Sequence, residues 1–242
     1  MNVSLLGKKI FVTGATGTIG KMVVEAAKES GAWVAGTYFQ NEEEAKQLEA
    51  RGVVMIQADL SDRAKARAAA AQVLQTAGHL DALVYTAGNT RDQPLKNLTD
   101  EEWDEVFHLH LYGLMACTQA VLPAMQERGS GKVVALGSMA GLTGRMGQTN
   151  YSTAKAGTIG FMKALAREAG RFGVTANVVC PGFIDSKMTR RSPVQAWERA
   201  KTESVLGTIS CVEVTASFIV WLVSDLCFGV TGQVFNLDSR VL

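Results

Sequence analysis

The chain has 242 residues, 47% of them hydrophobic and 19% charged, which is typical of a protein with a well-filled core. Its 24 basic and 23 acidic residues leave a net charge of +1, so we expect neither a nucleic acid nor an anionic membrane as a partner. Four cysteines without metal-ligand spacing indicate free thiols in a reducing compartment and no bound metal. We see neither a signal peptide nor an apolar run long enough to cross a bilayer, and therefore expect a cytoplasmic protein.

Short β-branched segments alternate with long helical patterns along the chain. Continuous apolar strands between helices indicate a parallel sheet covered on both faces. We therefore predict an α/β fold, a single doubly wound parallel sheet of about seven strands, in one domain over residues 1–242. Thr99 and Glu102 form a capping box before the fourth helix. The predicted strands are 9–13, 33–37, 53–57, 82–85, 132–136, 175–179 and 233–237, and the predicted helices are 19–30, 42–50, 63–76, 101–125, 151–172 and 212–223.

The segment TGATGTIG, residues 13–20, directly follows the first strand. Its glycine spacing differs from GxGxxG, yet it still brings backbone N–H groups and a helix N-terminus to one point, as pyrophosphate-binding loops do. Thr18 fits such a loop if its φ is negative. We predict that the cofactor is held here by Gly14, Thr16, Gly17, Thr18, Ile19 and Gly20.

Several other segments also follow strands, and ligands of such sheets bind beyond the carboxyl ends of the strands. Asp59 follows the third strand, Thr86-Ala87-Gly88 the fourth, Ser138 the fifth and Pro181-Gly182 the sixth. We therefore expect all of them on one edge of the sheet. For Asp59 the alternative is a helix cap before the third helix.

The segment NYSTAKAG, residues 150–157, carries the strongest chemical pattern. Tyr151 and Lys155 are four residues apart and share one helix face, where an ammonium group favours the phenolate and lowers the phenol pKa from about 10. Such a phenol exchanges a proton with a carbonyl oxygen, and the Ser138 hydroxyl can hold the same oxygen. Taken alone, the Tyr151 and Lys155 pair is more typical of a surface helix, and Ser138 of a turn or a helix cap. Together with the Gly-rich loop they indicate hydride transfer.

On these residues, and on GQTNYSTAKAG (147–157), NVVCPGFIDSKM (177–188) and VTGQVFNLD (230–238), the chain resembles the short-chain dehydrogenase/reductase family, most of all its β-ketoacyl reductase branch. The resemblance implies that Ser138, Tyr151 and Lys155 are catalytic and that Lys155 also binds ribose hydroxyls. Tyr151 is included among the cofactor contacts. The other contacts implied are Asp59 and Leu60 at the adenine, Ala87 and Gly88 at the adenosine ribose, and Pro181, Gly182 and Ile184 at the nicotinamide.

The chain departs from the family pattern at four places. Thr18 replaces a glycine, Thr86 replaces an asparagine, and Ser239-Arg240 replaces a Gly-Gly pair. His110 stands where relatives carry an asparagine of the proton relay, so we include it in the catalytic set. A neutral histidine donates and accepts hydrogen bonds as an amide does. Because the Lys155 charge should push its pKa below 6.5, we expect turnover to fall in acid as His110 becomes charged.

The resemblance implies a reductase of β-keto groups on acyl thioesters, bound to a carrier protein or to CoA, in fatty-acid or specialised acyl-chain biosynthesis. The alternatives are a dehydrogenase of a secondary alcohol, steroid or sugar, and a weakly active cofactor-binding subunit of a hetero-oligomer. No acid follows the second strand before Glu42, which favours NADP(H) over NAD(H), although Gly17 stands where many relatives have an arginine.

The segment 185–208 is the predicted substrate lid. Its Lys187, Arg190 and Arg191 either meet a phosphopantetheine arm or are solvated surface charges.

The long helices 101–125 and 151–172 carry many apolar positions, and the resemblance implies that they pair with their copies in a homo-oligomer, either a dimer or a tetramer.

Overall fold

The computed structural model describes residues 3–240, and within them seven strands form one parallel sheet in the order β3-β2-β1-β4-β5-β6-β7. The sheet order reverses direction between β1 and β4, which opens a crevice at the carboxyl ends of the strands. This confirms the predicted doubly wound sheet, while one domain over 1–242 stays a prediction. The strands are β1 (Lys9–Thr13), β2 (Trp33–Tyr38), β3 (Val54–Gln57), β4 (Ala82–Tyr85), β5 (Gly131–Leu136), β6 (Val174–Pro181) and β7 (Val234–Leu237).

Helices cover both faces of the sheet, because each face presents a continuous apolar surface. Leu83, Val133 and Val178 face a core shared with α3, α5 and α7, whereas Val12 and Val134 face a second core shared with α1 and α9. The helices are α1 (Thr18–Glu29), α2 (Glu42–Ala50), α3 (Arg63–Ala77), α4 (Asp100–Phe107), α5 (Gly113–Glu127), α6 (Met139–Thr143), α7 (Thr149–Ala169), α8 (Val194–Glu203) and α9 (Val212–Val223).

The predicted element boundaries agree with the structure at β1, β4, α2 and α9 and differ elsewhere by a few residues. The capping box of Thr99 and Glu102 is present at the start of α4. Two short helices were not predicted. α6 has only five residues, too few for a periodic pattern, and α8 lies inside the predicted lid, where polar residues obscure the period.

The predicted helix 101–125 is wrong as one regular helix, because a π-helical turn at His108–Tyr112 separates α4 from α5. The Gly113 amide donates to the His108 carbonyl, which frees the carbonyl of Leu109. The Tyr85 hydroxyl donates to that carbonyl at 2.6 Å. A Cβ atom at Gly113 would collide with the Tyr85 hydroxyl and with the Leu60 carbonyl oxygen, so only glycine fits there.

The four cysteines are free thiols, of which Cys211 is exposed and Cys117, Cys180 and Cys227 are buried. Among the helices of residues 3–240, none combines the length and the apolar character needed to cross a membrane.

Candidate active site

A cleft of about 590 Å³ opens beyond the carboxyl ends of β5 and β6. Ser138 and Tyr151 line it, together with Ile19 from the start of α1. The range 181–184 forms one side of its floor, and the predicted lid 185–208 forms a wall through α8 and the residues before it. The parallel sheet therefore brings the segments after β1, β5 and β6 together at one edge, as predicted.

Tyr151 lies in the first turn of α7, where the side chain of its neighbour fixes the backbone. Asn150 is completely buried, accepts a hydrogen bond from the Tyr151 amide at 2.8 Å and donates to the Arg91 carbonyl at 3.0 Å. Burial raises the pKa of Tyr151 to about 12, and a hydrogen bond with Ser138 opposes that rise. The predicted lowering of this pKa by Lys155 is wrong, because burial of the phenol dominates the shift.

Ser138 caps the N-terminus of α6. Its backbone is extended and its hydroxyl oxygen accepts a hydrogen bond from the Ala140 amide at 3.2 Å. The preceding Gly137 amide donates to the Val179 carbonyl at 2.8 Å, which joins this turn to β6. Capping uses only the oxygen as an acceptor, so the hydroxyl of Ser138 keeps its proton as a donor for Tyr151 or for a carbonyl oxygen in the cleft.

Lys155 lies one helical turn after Tyr151 and is buried. Its Nζ atom donates to the Leu136 carbonyl at 2.7 Å and lies 5.7 Å from the centroid of the Tyr151 ring. Burial lowers the pKa of Lys155 to about 8, so the group is predominantly an ammonium at neutral pH. The site thus holds a protonated phenol, a hydroxyl and an ammonium together.

The loop after β1 fits the pyrophosphate of a dinucleotide. Gly14 has a φ of +62°, and a Cβ atom there would lie 2.9 Å from the Cα atom of Ala87. Gly17 is the N-cap of α1 and no side chain caps that helix, so its first amides are available to an anion. Thr18 is the first helical residue. Within residues 3–240 only glycines have a positive φ, so Thr18 has the negative φ with which it fits the loop.

The segment after β4 lies beside this loop, and the segment after β3 carries Asp59. The Asp59 carboxylate accepts hydrogen bonds from the amide and hydroxyl of Ser61, at 2.9 and 2.6 Å. Its alternative role as a helix cap is wrong, because Asp62 caps α3 through the amides of Ala64 and Lys65.

Thr86, the residue that departs from the family pattern after β4, ties the ends of two strands together. Its hydroxyl donates to the Thr13 carbonyl, and the amides of Thr86 and Ala87 both donate to the Thr13 hydroxyl, at 3.1 and 3.3 Å. Gly88 follows directly and packs against the imidazole of His110.

His110 is buried in the π turn and contacts Tyr151, with ring centroids 5.3 Å apart and the planes at 85°. Its Nε2 atom lies 2.8 Å from the Asn89 carbonyl oxygen. Burial and, second, the charge of Lys155 lower the pKa of His110 to about 3. The predicted direction of this pKa shift is confirmed, and the predicted loss of turnover in acid stays a prediction.

The cleft also contains Arg240, from the departing Ser239-Arg240 pair, and four charged residues that the sequence analysis did not single out, namely Asp92, Arg145, Arg199 and Glu203. Gln148, which lies inside the quoted GQTNY segment, donates to Asp92 at 2.7 Å. The three lid cations do not line the cleft: Lys187, Arg190 and Arg191 are exposed, and Arg190 pairs with Asp185 at 2.6 Å. These contacts favour the surface alternative for all three.

Comparison with known proteins agrees with this geometry. The family profile described as short chain dehydrogenase matches residues 8–197. A 3-oxoacyl-[acyl-carrier-protein] reductase of Thermotoga maritima is 36% identical over 243 residues, covering 98% of this chain and 99% of the relative. An acetoacetyl-CoA reductase of Synechocystis sp. is 37% identical over 240 residues, covering 99% and 98%. The crystal structure of gox2181 has a TM-score of 0.91 at 28% identity, covering 98% of this chain and 96% of that chain. By its sequence and its fold, the chain belongs to the short-chain dehydrogenase family.

Proposed function

We propose that the protein is a nicotinamide-dependent reductase that converts the β-keto group of an acyl thioester into a hydroxyl group. The observation that carries this proposal is the meeting of Ser138, Tyr151 and Lys155 at one cleft beside an uncapped Gly-rich loop. The two relatives described above support the substrate class, since one is named for carrier-protein thioesters and the other for acetoacetyl-CoA.

The protonation state of Tyr151 suits the reductive direction. When bound, a nicotinamide cofactor supplies the hydride that the carbonyl carbon receives. With a pKa of about 12, Tyr151 keeps its proton at neutral pH and donates it to the carbonyl oxygen. The Ser138 hydroxyl orients that oxygen by a hydrogen bond, and the ammonium group of Lys155 stabilises the phenolate left behind.

We assign the cofactor to the residues named from the sequence. The loop residues Gly14, Thr16, Gly17, Thr18, Ile19 and Gly20 would hold the pyrophosphate. Asp59, Leu60, Ala87 and Gly88 would hold the adenosine half, and Lys155, Pro181, Gly182 and Ile184 the nicotinamide half with Tyr151. NADP(H) is favoured because Tyr38, the last residue of β2, is followed by Phe39, Gln40 and Asn41, without a carboxylate to repel a 2′-phosphate.

The decisive experiment measures turnover of purified protein with acetoacetyl-CoA and with a carrier-linked β-keto thioester, each with NADPH and NADH. We expect reduction of at least one thioester and a higher kcat/KM with NADPH. Activity on free secondary alcohols alone would contradict the thioester substrate and indicate an alcohol dehydrogenase. Cofactor binding without any turnover would instead indicate a weakly active subunit, and a kcat/KM with NADH that equals or exceeds that with NADPH would reverse the cofactor preference.

We also propose a cytoplasmic homo-oligomer, either a dimer or a tetramer. In residues 3–240, α4, α5 and α7 carry none of the large apolar side chains that are mostly exposed. Such side chains lie at several other places, Met146 among them, and one group is around α9, where Phe228 is 94% exposed and Val214 and Leu226 are also exposed. We therefore shift the proposed contact surface toward α9. Light scattering at micromolar concentration tests the assembly, and a single 25.9 kDa species would contradict it.

A further inference from the structure

The π turn His108–Tyr112 is stabilised from outside by residues that have no place in the proposed chemistry. The Tyr85 hydroxyl donates a hydrogen bond to the carbonyl of Leu109, and Gly113, which has no side chain, leaves room for that hydroxyl. A π turn inserts one residue into the helical repeat and so rotates the side chains that follow. Here the buried residue of the turn is His110.

The imidazole of His110 touches two segments that function requires. Its Nε2 atom lies 2.8 Å from the carbonyl oxygen of Asn89 and 3.2 Å from the Asn89 amide nitrogen. The shorter contact assigns the proton to Nε2 as donor. The ring packs closely on Gly88, where a Cβ atom would lie 2.5 Å from Cε1, and it meets the ring of Tyr151 in a T-shaped contact.

We propose that His110 is a positioning residue that holds the segment 88–89 through Nε2 and the phenol of Tyr151 through its ring, and that Tyr85 sets its position. This proposal rests on the proposed function, because segment 88–89 belongs to the assigned cofactor site. In this role His110 differs from a titrating relay group, since each contact uses the neutral ring.

Two variants distinguish the hydrogen bond of His110 to Asn89 from its ring contact with Tyr151. His110→Phe retains an aromatic ring against Tyr151 and removes the donor to Asn89. His110→Asn retains a polar donor and removes the ring. Three quantities are measured for each variant: amide hydrogen exchange of residues 88–92 without cofactor, the Kd of NADPH by fluorescence, and kcat.

We expect His110→Phe to raise the Kd of NADPH about tenfold, with faster exchange in residues 88–92, because one buried hydrogen bond is lost. Its kcat should change less. His110→Asn should lower kcat about fivefold, as expected from loss of an aromatic pair, with nearly normal exchange and Kd. A general structural defect would change all three quantities in both variants, and that result would overturn the proposal, as would no change in either.

Tyr85→Phe provides a second test, which leaves His110 in place. It is a smaller change than either His110 variant and serves if those variants do not fold. It removes only the hydroxyl that holds the Leu109 carbonyl, and we expect faster exchange in residues 88–92 and a weaker Kd. The matched control is Tyr112→Phe, in the same turn, whose hydroxyl makes no hydrogen bond to the described part of the chain and whose ring contacts Arg63 and His108.

Tyr112→Phe should leave the exchange unchanged. Equal effects of the two tyrosine variants would contradict the role of Tyr85. If the wild type reduces no thioester, the proposed function fails, whereas the exchange measurement still decides whether His110 holds the segment.

Discussion

The Nζ atom of Lys155 donates to the carbonyl oxygen of Leu136 at 2.7 Å, while the ring centroid of Tyr151 lies 5.7 Å from the same atom. The ammonium group is therefore anchored to β5, one helical turn from the phenol. Its influence depends on whether it is charged, and burial places its pKa at about 8.

Reductive turnover should therefore fall on the alkaline side. Because the pKa of Lys155 is lowered from 10.5 to about 8, the ammonium is present below pH 8 and is lost as the pH rises through that value. We expect kcat to be level between about pH 5 and 7 and to decline above 8. In Lys155→Arg, if turnover is retained, the side chain stays charged and the decline should disappear. An unchanged decline in that variant would assign it to another group.

Tyr151→Phe should lower kcat by about a hundredfold or more, because it removes the only proton donor assigned to the reaction. The Kd of NADPH should stay nearly constant, since the ring remains. Fluorescence titration and steady-state kinetics on the same preparation measure both. Lys155→Ala is the contrasting variant, because it should impair both turnover and cofactor binding. Near-normal kcat in Tyr151→Phe would refute the mechanism.

The buried imidazole of His110 should make the fold less stable in mild acid. Its pKa is about 3 in the folded protein and about 6.5 in an unfolded chain, so only the unfolded state gains this proton between those values. Stability from this residue is complete above pH 6.5 and is lost as the pH falls toward 3. Between pH 7.5 and 5.5 the wild type should lose about 1 kcal/mol more unfolding free energy than His110→Asn. Urea denaturation at both pH values measures the difference. Equal losses of unfolding free energy in the wild type and in His110→Asn would show that the imidazole of His110 is hydrated in the folded protein.

Gly17→Arg should strengthen the preference for NADP(H). Gly17 has a φ of −79°, so an arginine needs no unusual backbone there, although its Cβ atom would lie 3.2 Å from the Gly14 carbonyl oxygen. A charge-assisted bond to a 2′-phosphate should lower the Kd of NADPH about tenfold and leave that of NADH unchanged. Gly17→Ala is the control for the added Cβ atom. Parallel changes for both cofactors would show that position 17 does not face the phosphate.

Sequence reasoning succeeded where a local pattern determines the structure. β1 and β4 are short segments with an apolar centre, and their bounds agree residue for residue with the structure. It also placed Ser138 and Tyr151 at one cleft, since the rule for parallel sheets needs only the order of strands.

Sequence reasoning failed where contacts between residues distant in the sequence determine the structure. In the π turn the Leu109 carbonyl is bonded by Tyr85, which is distant in sequence, and no periodicity reveals that contact. The pKa of Tyr151 was predicted in the wrong direction because spacing shows the neighbouring charge, whereas only the folded structure shows the burial.

The distribution of the thiols makes the protein suited to site-directed labelling without prior mutagenesis. Burial raises the pKa of Cys117 to about 12 and that of Cys180 to about 11, so both remain unreactive thiols at neutral pH. Cys227 is also buried, whereas Cys211 is exposed and lies three residues after the end of the segment 185–208. A maleimide dye should therefore attach at Cys211, beside the wall of the cleft, and report on that wall when substrate is added.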